Sequence, residues 1–175
     1  IAAGFSYEVV TAHNGCLQLE VTINGKMAHA AVPHTGVDAL QAAVFIMNAL
    51  YAENTAYQKV KSKVKGIHHP YLNIGRIEGG TNTNVIPGKV VLKLDRRMIP
   101  EENSTLVEAE VRQLIADAVA QSPGVRVEIR RMLLAEALKP LPGRAPLVQA
   151  IQTHGQAIFG EPIPEAGTPL YTDVR

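Results

Sequence analysis

The sequence predicts an α+β fold, a ferredoxin-like two-layer sandwich in which two helices cover one face of a four-stranded antiparallel sheet. Three observations carry this expectation. Stretches that alternate apolar and polar residues recur between residues 13 and 133, stretches with apolar residues at helical spacing fall among them, and turn-forming residues separate the two kinds in the order βαββαβ.

The elements follow in chain order. "CLQLEVTI" sets Leu17, Leu19, Val21 and Ile23 at period two, a half-buried strand that Asn24-Gly25 then turns. "GVDALQAAVFIMNALYAEN" repeats Val37, Leu40, Val44, Met47, Leu50 and Tyr51 at helical spacing and is expected to bury that stripe. A polar, basic stretch frays this helix into a loop ending at His68-His69-Pro70. "YLNIGRIEGG" and "KVVLKLDRRMI" read as two strands, joined by a turn-rich loop, the second closed by Pro100. Thr105 and Glu108 have the spacing of a capping box, and Val107, Val111, Leu114, Ile115, Ala118 and Val119 form one apolar stripe, so a second helix runs to about Gln121. Pro123-Gly124 stops it, and "VRVEIRRML" alternates again as the fourth strand. One sheet face is left bare, to be solvated or to meet something else, and an outer strand offers an edge that a second copy can extend.

The flanks do not belong to that unit. "EALKPLPGRAP" reads as a linker and "LVQAIQTHGQAIFG" as one more amphipathic helix with nothing to pack on. The expected organisation is therefore residues 1–12 as the end of a second domain, 13–133 as the sandwich, and 134–175 as a linker and the return to that second domain.

Composition narrows the function. Seventeen Lys and Arg against sixteen Asp and Glu give no field for nucleic acid or an anionic membrane, and a 5% aromatic share leaves little to stack on bases. Apolar runs fall short of the ~20 residues of a membrane helix. A single cysteine, Cys16, excludes an internal disulfide framework and points to the cytoplasm.

Three segments carry chemistry. In "GKMAHAAVPHTGVDA", His29 and His34 lie five apart, but zinc needs about three or four converging ligands and no HExxH or paired carboxylate accompanies them. His13, His34, His68, His69 and His154 read as solvated or loop histidines. His29 differs: Ala28, Ala30 and Ala31 leave its ring approachable, and a neutral imidazole donates to a developing oxyanion. In "EGGTNTNVIPGK", Asn84 presents an amide that both donates and accepts, or simply forms a hairpin turn. In "KLDRRMIP", Leu92, Leu94 and Met98 fall on one strand face and Lys93, Asp95 and Arg97 on the other. Arg97, held straight by Asp95, is a candidate carboxylate clamp or half of a surface ion pair, whereas Arg96 points to the helices and must snorkel past the core.

Together, "AHNGCLQLEVTINGKMAHAAVP", "LNIGRIEGGTNTNVIP" and "LDRRMIP" resemble the lid, or dimerisation, domain of the zinc-dependent aminoacylase and carboxypeptidase family. That family includes acetylornithine deacetylase, succinyl-diaminopimelate desuccinylase and N-carbamoyl amino acid amidohydrolases. The resemblance implies a homodimer through the lid and a small N-acyl amino acid or peptide as substrate. It makes His29 the lid histidine that reaches the partner subunit's active site and stabilises the tetrahedral intermediate, and Asn84 and Arg97 substrate-binding residues. It places the zinc, two ions, with the water-activating Glu in a catalytic domain outside this chain, and none on this chain. Asp173 lies in a family-like segment and is not assigned as a ligand. The alternative reading is a free-standing ferredoxin-like module that binds an amino acid or a protein and regulates without catalysis.

Overall fold

A computed structural model of the chain describes residues 7–172. Among the described residues eight strands and three α-helices follow one another as β1 (Val9–His13), β2 (Gly15–Asn24), β3 (Ala28–His29), α1 (Ala39–Tyr57), β4 (Tyr71–Gly79), β5 (Val85–Ile86), β6 (Lys89–Met98), α2 (Ser104–Val119), β7 (Arg126–Ala135), α3 (Ala145–Phe159) and β8 (Glu165–Thr168). The expected sandwich is β2-α1-β4-β6-α2-β7. Its sheet runs β4-β6-β2-β7 with every neighbour antiparallel, so the long central strands β2 and β6 pair in continuous register from Gly15 opposite Met98 to Asn24 opposite Lys89.

Alternation places the core as read. Leu17, Leu19, Val21 and Ile23 of β2 meet Val90, Leu92 and Leu94 of β6 beneath the helices, and burial of each such side chain contributes about 1.5–3 kcal/mol. The opposite face carries Glu20 between Lys93 (3.4 Å) and Arg130 (2.9 Å), with Asp95 paired to Arg97. It is the charged bare face that the alternation in "KLDRRM" requires.

Helix α1 corrects the reading of its face. Asp38 caps it, with its carboxylate accepting from the N–H groups of Leu40 and Gln41, and the buried residues are Ala39, Ala42, Ala43, Ile46, Leu50 and Tyr57. Only Leu50 of the expected stripe is fully inside, whereas Leu40, Val44 and Tyr51 are exposed. The alanines let the helix axis approach the sheet closely, so the bulkier stripe is turned outward. Helix α2 also begins differently: Asn103, not Thr105, accepts from Leu106 N–H as the cap. Glu108 instead binds Arg112 and Arg131, tying α2 to β7.

Arg96 does not snorkel. It is 2% exposed, its guanidinium lies 4.1 Å over the Tyr57 ring, and it binds the Glu102 carboxylate and the Arg97 carbonyl. Glu102 also accepts from Ile99 N–H at 2.8 Å. The charge is thus neutralised inside, where it locks the end of β6 to the C-terminal end of α1 and the turn before α2.

The flanks form their own small sheet. β1 and β8 pair in parallel, with α3 packed on them around Val9, Val148 and Ile163. His13, expected to be solvated, is fully buried where the chain crosses from one sheet to the other.

Candidate functional site

The three candidate residues occupy two places. The first is a short ladder beyond the Asn24 and Lys89 end of the sheet, where β3 and β5 pair Ala28 with Ile86 and His29 with Val85. Gly25 makes this possible: a Cβ there would stand 2.2 Å from the Val37 carbonyl oxygen, so only glycine lets the chain turn close against the start of α1. Lys26 and Val37 then exchange backbone hydrogen bonds at 2.8 and 2.9 Å, and Ala30 N–H donates to the Asn84 carbonyl at 2.9 Å. Backbone bonds therefore hold His29 and Asn84 on one rim, with both side chains exposed.

The ring of His29 is oriented. Ala31 N–H donates to His29 Nδ1 at 3.1 Å. An N–H cannot donate to a protonated nitrogen, so Nδ1 carries the lone pair and Nε2 carries the hydrogen of the neutral ring. The result is an outward Nε2–H donor on a fixed backbone. The Asn84 amide makes no hydrogen bond among the described residues and stands open for a ligand.

The second place is the opposite end of the sheet. Arg97 lies on β6 opposite Cys16 on one side and Tyr71 on the other. Its Nε donates to Asp95 Oδ1 at 2.6 Å and its Nη2 to Asp95 Oδ2 at 3.3 Å. This leaves both hydrogens of Nη1 and one of Nη2, the end-on edge that accepts a carboxylate bidentately. Burial works most strongly against the Arg97 charge, but its hydrogen bond to Asp95 together with the charges of Cys16 and Asp95 outweighs it and raises its pKa. Gln18 Nε2 donates to Asp95 at 3.0 Å, and the Cys16 thiol lies 3.6 Å from the same carboxylate. Burial first, then the Asp95 charge, pushes the Cys16 thiol up to about 11 and keeps it neutral.

From Lys89 to Arg97 is eight residues of strand, about 26 Å at ~3.3 Å each. Arg97 therefore sits at the far end of β6 from the turn that leads into the β3–β5 ladder carrying His29. Sequence spacing concealed this placement, since Asn84 and Arg97 are close in motif order but most of the length of β6 lies between them.

No group of three or more His, Cys, Asp or Glu side chains is arranged to hold a metal ion among the described residues, so these residues do not fit a metal site. Asp173 lies outside the described residues. No helix among them is long and apolar enough to cross a membrane.

Residues 11–123 match the model of the peptidase dimerisation domain. The chain belongs to that family. As a dimerisation domain it is similar to acetylornithine deacetylase from Edwardsiella ictaluri, 30% identical over 156 residues, covering 84% of this chain and 38% of that protein. It is also similar to N-acetyldiaminopimelate deacetylase from Streptococcus suis, 31% identical over 147 residues, 83% of this chain and 36% of the other. The dimerisation domain and its flanks thus span little more than a third of these relatives. Among solved structures, a hydantoinase/carbamoylase family amidase from Burkholderia vietnamiensis superposes with a TM-score of 0.71 at 20% identity, over 94% of this chain and 37% of that one. Aminopeptidase PepT from Bacillus cereus gives 0.68 at 21%, over 98% and 43%. At these identities the structures establish the fold. The sandwich expected from periodicity is the dimerisation fold, and the relatives named are hydrolases.

Proposed function

We propose that the chain is the lid of a homodimeric, cytoplasmic, zinc-dependent amidohydrolase that cleaves an N-acyl amino acid or a peptide. Residues 13–133 are that lid, and residues 1–12 and 134–175 belong to a catalytic part that continues beyond the chain. The zinc, held by that part, supplies Lewis-acid activation of water. The observation that carries the reading is the His29 tautomer. Its Nε2–H, fixed by Ala31, is the donor an oxyanion requires, and the Asn84 amide on the same rim orients the substrate beside it. Arg97, straightened by Asp95, holds the substrate carboxylate.

The placement of Arg97 and of the His29 ladder toward opposite ends of β6 supports a composite site. Arg97 serves the active centre of its own subunit, and His29 with Asn84 serves the partner's. A twofold axis then supplies two equivalent sites, each completed from both copies. The edge strand β4 is the surface we assign to that axis. Its outer side is unpaired among the described residues, α1 lies against it, and α1 turns Leu40, Val44 and Tyr51 outward while Ile77 of β4 is itself exposed. The other edge, β7, is guarded by Arg126, Glu128, Arg130 and Arg131, charges of the kind that blunt pairing.

The test is His29→Ala in the intact enzyme. Loss of one oxyanion donor costs on the order of a hundredfold in kcat, with KM little changed, and His29→Gln recovers part of it. Turnover within about twofold of the parent removes the oxyanion role from His29.

A further inference from the structure

The corner around Arg97 contains more than a clamp. Strand register sets Tyr71 directly opposite Arg97 on the bare face, where cross-strand neighbours stand within reach of one another. The ring of His69 lies 4.2 Å from that of Tyr71, tilted by 39°. His69 Nδ1 is 2.9 Å from the Pro70 carbonyl oxygen. A carbonyl only accepts, so Nδ1 carries the hydrogen and Nε2 is left for another partner. Elsewhere on this face paired charges, Glu20 with Lys93 and Arg130 and, on the edge strand, Arg76 with Glu78, stand among smaller residues such as Gln18, Thr22 and Val91. A half-exposed tyrosine (40%) stacked on a histidine breaks that pattern, in a chain with five tyrosines, three phenylalanines and no tryptophan.

We propose that Tyr71 and His69 form the wall of a subsite continuous with the free edge of Arg97. The ligand class is a carboxylate bearing an apolar or aromatic group. The carboxylate lies on Nη1 and Nη2 of Arg97, and the attached group packs against the Tyr71 ring, which His69 holds in place from behind. In the reaction proposed above this wall selects the side chain of the amino-acid portion, so Tyr71 is a specificity-determining residue and His69 a positioning one. The inference rests on the reading of Arg97 as the carboxylate clamp.

The experiment is calorimetric binding of acetate and of phenylacetate to the intact dimeric enzyme. The two probes share the carboxylate and differ by the ring. Wild type is expected to prefer phenylacetate by about three- to tenfold, the usual worth of one aromatic contact. Tyr71→Ala removes the preference and leaves acetate binding in place, which also shows that the variant is folded. His69→Ala weakens the preference, and Tyr71→Phe retains it. No preference in wild type, or an unchanged preference in Tyr71→Ala, overturns the subsite. If Arg97→Ala leaves both probes bound as in wild type, or wild type binds neither, the clamp itself is wrong and the subsite falls with it.

Discussion

At the scale of single residues, chemistry here is decided by which backbone group a side chain finds. His29 and His69 have the same intrinsic ring, yet the Ala31 N–H makes Nδ1 of the first an acceptor and the Pro70 carbonyl makes Nδ1 of the second a donor. They therefore present opposite functions at Nε2. Arg96 and Arg97 are neighbours with equally divergent fates, one enclosed under Tyr57 and bound to Glu102, the other reaching to the bare face. Removing Glu102 strands a buried charge, so Glu102→Ala is expected to cost about 3–5 kcal/mol. Urea unfolding measures it, and a loss below about 1 kcal/mol, the worth of an ordinary surface pair, would show that Arg96 escapes to solvent. The identity of Arg97 as the outward residue was legible from alternation alone, whereas the partner of Arg96 was not: Glu102 lies beyond Pro100, where strand periodicity has ended.

At the scale of elements, the strands and the face of α2 read well and the face of α1 did not. β2 and β6 bury the residues that alternation selects because a sheet has only two faces. α1 has two apolar stripes, a bulky one and an alanine-rich one, and hydrophobicity favours the wrong one. Close approach to the sheet favours the small residues, a packing fact that composition does not register. The ladder of β3 and β5, two residues each, lies below the length at which any period can be recognised, which is why the setting of His29 was not foreseen. The misread stripe has a use at this scale. A glutamate at Val44, near the middle of the outward face, places charge where a second copy is expected, so Val44→Glu should shift the dimer to monomer while the far-ultraviolet spectrum stays unchanged. Sedimentation at several concentrations tests this; an unaltered dimer assigns the axis elsewhere.

In the molecule as a whole, apart from the Asp95–Arg97 pair, the ionic ties among the described residues are carried by glutamates. Hydrogen bonding from Arg130 holds Glu20 below the usual 4.5. Burial acts to raise Glu108, but hydrogen bonds from Arg112 and Arg131 prevail and lower it. Arg144 and Thr11 lower Glu165. A carboxylate lowered in the fold adds stability above its unfolded value, and that stability is lost as pH falls through the folded one. Unfolding midpoints should therefore fall on acidification below about pH 4.5, and Glu108→Gln should flatten that limb by removing one term. At the alkaline end the raised thiol has the opposite sense. Cys16 favours the fold below 9.0, and this contribution disappears between 9.0 and about 11. A midpoint independent of pH below 4.5 would mean that these pairs are equally formed in the unfolded chain.

The crossing between the two sheets has one more consequence. His13 and Leu138 exchange backbone hydrogen bonds of 3.2 and 3.1 Å, so everything from Asn14 to Ala137 leaves and returns at a single doorway. A segment whose ends already touch is topologically a cassette. It can be lifted out and its host strand closed by a tight turn, or be exchanged for another sandwich of the same span, without rethreading the β1–β8 sheet. The same doorway is the covalent crossing between the two sheets, and beside it the Lys65 carbonyl accepting from Gly167 N–H at 2.7 Å and the cluster of Ala12, Ile67 and Ile99 brace the dimerisation domain against the flank sheet.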